Sequence, residues 1–130
     1  MKKKIALIFG ISGQDGAYLA NFLIKKNYLV IGVTRNPTSS NLYRLNILNI
    51  KKKVKIFKNN KINFSFLKKI FLKYNTINEI YFLSGESSPK KSLEIPIQTF
   101  NSNTINLLNL LEFLKKTKNK NKLFYASSSE

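Results

Sequence analysis

Residues 10–16 read Gly-Ile-Ser-Gly-Gln-Asp-Gly and follow directly on the apolar run Ile5-Ala6-Leu7-Ile8-Phe9. A short buried strand, glycines at every third position and then an amphipathic stretch leave a chain few options. The first glycine permits a tight turn, the second lets a diphosphate approach the main chain, and the third lets the next helix pack close to the strand. The unpaired amides and positive dipole end of that helix complete an anion site. The strand before and the helix after are what separate this triplet from an ordinary turn.

The remaining chain continues the alternation. Strands are predicted over residues 4–9, 28–33, 54–57, 79–83 and 123–126, and helices over 14–27, 42–50, 64–74 and 97–116. Such spacing implies right-handed crossovers and an α/β fold with a doubly wound parallel sheet in the order 3-2-1-4-5. Residues 1–130 are expected to form one partial dinucleotide-binding domain, cut after its fifth strand and without a substrate-binding C-terminal region.

Composition narrows the chemistry. With no cysteine and no histidine, thiolate catalysis and the commonest general base and metal ligands are excluded. The net charge of +17 invites a nucleic-acid reading, yet all but Arg35 and Arg44 of the 23 basic residues are lysine. Phosphate-gripping proteins favour the bidentate arginine fork, whereas Lys, Asn and Ile are all read from A/T-rich codons. Only nonspecific, salt-sensitive adhesion to nucleic acid is therefore expected. The apolar run after Met-Lys-Lys-Lys stops at Gly10, too short for a signal or membrane segment, so a soluble cytoplasmic protein without membrane partners is expected.

The end of the second strand selects the cofactor. A carboxylate there would bind the ribose 2′-hydroxyl and an arginine a 2′-phosphate. Arg35 occupies that region, and no Asp or Glu occurs between Asp15 and Glu79, which favours NADP over NAD. Ser84-Gly85 follows the fourth strand at the edge where a dinucleotide passes. Ser127-Ser-Ser-Glu130 follows the fifth, with Ser128 and Glu130 on one side of an extended segment.

The run from Gly10 to Arg35, with Gln14-Asp15 between the last two glycines, resembles the start of GDP-mannose 4,6-dehydratases, an extended short-chain dehydrogenase/reductase family. The likeness continues through residues 79–88 and 92–96, Asn103 with Leu110-Leu-Glu112, and residues 124–130. The resemblance implies bound NADP, a GDP-mannose or related nucleotide-sugar substrate, and homo-oligomers in full-length proteins. It implies cofactor contacts at Gly10, Ser12, Gly13, Gln14, Asp15, Gly16, Arg35, Asn60, Leu83, Ser84, Gly85 and Ser87. In that family NADP takes a hydride from C4 of the sugar, a glutamate removes the C5 proton, water leaves from C6 and the hydride returns there. The catalytic serine and glutamate fall on Ser128 and Glu130, and Asn103 matches a supporting helix asparagine.

The chain also departs from the family. None of its six tyrosines has a lysine four positions on, so the Tyr-x-x-x-Lys pair that deprotonates the 4-hydroxyl is absent. Asn60 and Asn63 stand where relatives carry Asp near the adenine. The chain is therefore expected to be an N-terminal portion, inactive alone and prone to self-association. Another extended-family nucleotide-sugar epimerase or dehydratase fragment, or a non-catalytic basic remnant, are the alternatives.

Overall fold

The computed structural model describes residues 2–59, 61–84, 93–100 and 104–126. Strands β1 (Ile5–Phe9), β2 (Leu29–Thr34), β3 (Val54–Lys58), β4 (Glu79–Phe82) and β5 (Lys122–Tyr125) form one sheet in the order β3-β2-β1-β4-β5. Every pairing is parallel, with Leu7 between Ile31 and Ile80 at the sheet's centre. Helices α1 (Gln14–Lys25), α2 (Tyr43–Ile47), α3 (Phe64–Lys73), α4 (Pro96–Phe100) and α5 (Asn106–Lys116) lie between the strands in sequence.

Side-chain alternation divides the core into two layers. Leu7 and Phe9 of β1, Ile31 and Val33 of β2, and Ile80 and Phe82 of β4 face Leu67 and Ile70 of α3 and Leu110 and Phe113 of α5. Ala6, Ile8 and Val30 face the other way, onto Ala17, Ala20 and Leu23 of α1 and Leu45 of α2. β1 is buried at all five positions, as a central parallel strand covered on both faces must be. Asn27, read as the stop of the first helix, adopts φ 67°, the left-handed conformation that ends a helix, and asparagine tolerates it.

One helix is shorter than expected. The predicted helix at 42–50 is only Tyr43–Ile47, because Asn49 turns left-handed at φ 58° and a 3-10 turn at Lys51–Lys53 leads into β3. Of the predicted helix at 97–116, the described residues form α4 and α5, with a π-type turn at Thr104 and Ile105 before α5; residues 101–103 lie outside the described residues. Leucine spacing across 107–114 indicated helix correctly.

Glu79 opens β4 at the amino edge of the sheet. Its carboxylate accepts hydrogen bonds from the hydroxyls of Tyr28 (3.0 Å) and Tyr81 (2.7 Å). Burial, the Glu79 hydrogen bond and its negative charge push the Tyr81 phenol up to about 12. Tyr28 is raised too, by its own hydrogen bond to Glu79 first and then by desolvation. Unfolded tyrosines lose their protons near 10, so above that pH the folded chain holds more protons than the unfolded one. The contribution of this trio is present below pH 10 and is lost as the pH rises through the window to about 12. Glu79→Gln is expected to shift two tyrosines toward earlier ionisation in a tyrosinate absorbance titration. An unchanged curve would refute the assignment.

Candidate dinucleotide-binding site

The glycine turn sits at the carboxyl edge of the sheet, opposite Glu79. Gly10 leaves β1 at φ +91°, and the amides of Gly10 and Ile11 donate to the Val33 carbonyl at 3.1 and 3.3 Å, tying the turn to β2. The Gly13 amide then donates to the Gly10 carbonyl at 3.1 Å, closing the turn, and Gly13 becomes the N-cap of α1 without any side-chain capping bond. The helix therefore presents open first-turn amides and a positive dipole end at this edge.

The three glycines have different reasons to be glycine. A Cβ on Gly16 would lie 2.2 Å from the Gly10 carbonyl oxygen, so this residue is demanded by the contact of helix with strand. A Cβ on Gly10 would lie 2.8 Å from the backbone of Leu83 and Ser84, and its positive φ excludes other residues independently. At Gly13 the nearest atom would be 3.4 Å away, an ordinary contact, and φ is −76°, which any residue adopts. Nothing in the chain itself requires glycine at 13. Its bare main chain lines a cavity instead.

That cavity, of about 230 Å³, opens over the ends of β1, β2 and β4. On its turn side are Gly10, Ser12 and Gly13; on its β4 side Leu83 and Ser84; on its β2–β3 side Thr34, Arg35, Asn59 and Ile62, with Asn106 at the start of α5. Six of the expected cofactor residues thus converge: Gly10, Ser12, Gly13, Arg35, Leu83 and Ser84. Gly16 supports the turn from inside the helix. Gln14 lines a second cavity of about 310 Å³ with Tyr18, Tyr43 and Arg44, and Asp15 is exposed in the first turn of α1. Asn60, Gly85, Ser87, Asn103, Ser128 and Glu130 lie outside the described residues.

Several site residues were not read from the sequence. Ser12 Oγ lies 3.1 Å from Thr34 Oγ1, joining the turn to the end of β2. Arg44 reaches back from α2, and its Nη1 donates to the Ser12 carbonyl at 3.1 Å while its guanidinium stacks over the Tyr43 ring. Short-range spacing gives no signal for that tether, which spans 32 residues. Asn63, considered above beside Asn60, is the N-cap of α3, its Oδ1 accepting from the Phe66 amide at 2.9 Å. Its side chain is committed to the helix.

The sequence matches the family described as GDP-mannose 4,6 dehydratase over residues 7–130. The chain belongs to that family. It is 38% identical to the GDP-mannose 4,6-dehydratase of Vibrio cholerae, over 100% of this chain and 36% of that protein. To the Cricetulus griseus GDP-mannose 4,6 dehydratase it is 36% identical over 98% of this chain and again 36% of the relative. The chain thus spans about a third of the length of these dehydratases and corresponds to an N-terminal portion of them. Among solved structures, the UDP-glucose 4-epimerase of Bifidobacterium longum, in complex with NAD+ and UDP, superposes at TM-score 0.79 with 25% identity over 97% of this chain and 37% of that one. The Stenotrophomonas maltophila UDP-glucose-4-epimerase superposes at 0.80 with 18% identity over 98% and 38%, sharing the Rossmann-like fold. Among the described residues, no helix is long and apolar enough to cross a membrane, and no carboxylate cluster could hold a metal.

Proposed function

We propose that this chain is the NADP-binding portion of a GDP-mannose 4,6-dehydratase, the hydro-lyase that converts GDP-mannose to its 4-keto-6-deoxy derivative. One observation carries the cofactor reading: Gly13 is bare where neither packing nor backbone conformation requires it, and the exposed main chain faces the cavity. The space belongs to a ligand that approaches the backbone closely, as a diphosphate does. Arg35 on the β2 side supports the 2′-phosphorylated form, since a guanidinium pairs with phosphate and no carboxylate among the lining residues competes for a 2′-hydroxyl.

When bound, NADP supplies a hydride acceptor for the sugar C4. The residues of this chain would hold it: the open first-turn amides of α1, beside the bare main chain of Gly13, would take the diphosphate, Arg35 the 2′-phosphate, and Leu83 and Ser84 would border the path toward β5. Ser128 and Glu130, directly after β5 in sequence, are proposed to hydrogen-bond the sugar 4-hydroxyl and to serve the C5 proton removal. A positioned base for the 4-hydroxyl is also needed. Without a Tyr-x-x-x-Lys pair, the 130-residue chain is not expected to turn over GDP-mannose. Leu108 and Leu111, exposed on the outer face of α5, support self-association of the homo-oligomeric kind.

Gly13→Ala tests the reading. The variant is expected to fold with an unchanged thermal midpoint and to bind NADPH about tenfold more weakly in a fluorescence titration, a loss of roughly 1.4 kcal/mol. Unaltered NADPH affinity, or no NADPH binding by the parent chain, would overturn it.

A further inference from the structure

The loop after β3 forms one wall of the cavity, and α5 holds it through both backbone polar groups of one residue. Asn106 Oδ1 accepts the Ile62 amide at 3.1 Å, and Asn109 Nδ2 donates to the Ile62 carbonyl at 2.8 Å. The two asparagines stand three positions apart on one helical face, so a rigid element grips both polar groups of one residue. Ile62 itself is 3% exposed and packs in the α3–α5 layer, while also lining the cavity. The clamp therefore fixes an apolar surface at the adenosine side, next to Asn59, Thr34 and Arg35.

The orientation of the Asn106 carboxamide follows from its partner. A backbone N–H can only be met by the oxygen, which leaves the NH2 end for other uses. Asn106 lines the cavity, and its Nδ2 has no partner among the described residues. Asn59 repeats the polarity, its Oδ1 accepting the Lys61 amide at 2.8 Å. Beside Ile62, the lining of this side thus combines an apolar face with N–H donors. A flat heteroaromatic base fits both: its ring covers Ile62, and a ring nitrogen such as N1, N3 or N7 of adenine accepts a hydrogen bond.

We propose that Asn106 is a two-ended specificity residue: its oxygen, together with Asn109, fixes the Ile62 wall, and its NH2 donates to a ring nitrogen of the adenine. This rests on the dinucleotide reading above and adds a base contact to it. Asn106 acts on the ligand directly, whereas Asn109 is a positioning residue that acts through Ile62.

The experiment is an NMR titration of the chain, following the Asn106 side-chain NH2 pair, identified by its disappearance in Asn106→Ala. Two fragments serve as probes: 2′,5′-ADP for the adenosine half and nicotinamide mononucleotide for the other. The Asn106 pair is expected to shift with 2′,5′-ADP and to stay in place with the mononucleotide. Asn106→Ala is expected to weaken 2′,5′-ADP about tenfold. Asn109→Ala is expected to weaken it less and to leave the Asn106 shift intact. If 2′,5′-ADP moves the Gly13 and Gly16 backbone amides but leaves the Asn106 pair still, the base contact is wrong and the dinucleotide reading stands. If neither the glycine amides nor the Asn106 pair respond, both are overturned.

Discussion

Gly16→Ala is expected to unfold or severely destabilise the chain, by about 3 kcal/mol or more, a fall in thermal midpoint on the order of 10 °C. The added methyl would stand 2.2 Å from the Gly10 carbonyl oxygen and 3.0 Å from the Gly10 carbonyl carbon and Ile11 Cα. All three are backbone atoms, so no side-chain rotation relieves the overlap. Relief would require α1 to move off the sheet, opening the layer in which Ala17 and Ala20 pack against Ile8 and Val30. Scanning calorimetry of Gly16→Ala beside Gly13→Ala reads the contrast directly. Equal midpoints for the two variants would mean that the close approach of helix to strand does not constrain this fold. A chain with only 5–15 kcal/mol of net stability tolerates few such changes.

Arg35→Ser carries the second large effect. It is expected to weaken NADPH by about 10- to 100-fold, the worth of roughly 1.5–3 kcal/mol for hydrogen bonds to a charged group, with NADH affinity nearly unchanged. Arg35 is exposed at the end of β2 and lines the cavity, so its removal costs the scaffold little. Parallel titrations with NADPH and NADH separate a 2′-phosphate contact from a general loss of binding. Equal weakening of both cofactors would assign Arg35 to the scaffold, and no weakening of either would remove it from the site.

Much of this architecture is written in short-range pattern. The apolar runs of β1 and β2 state strand length and burial, the leucines of α5 state a helical period, and the sheet order follows from parallel crossovers. Glycine spacing located the turn because its cause is local: 10, 13 and 16 meet within one turn of chain. The early end of α2 was missed because an asparagine such as Asn49 is compatible with both helix and a left-handed turn. Arg44 and Asn106 were missed for another reason. Their partners, Ser12 and Ile62, lie 32 and 44 residues away, and polar side chains on helices look like solvated surface until the sheet brings those partners near. The glycine turn that lines the cavity was legible, while the side chains that tie distant segments to it were not.

The trio of Tyr28, Glu79 and Tyr81 lies at the end of the sheet remote from the glycine turn. An optical signal from those phenols therefore monitors the integrity of the scaffold without crosstalk from an occupant of the mouth. A substitution that abolishes nucleotide uptake while preserving the alkaline absorbance profile has damaged recognition alone, which gives the variants at the cavity an internal control within the molecule.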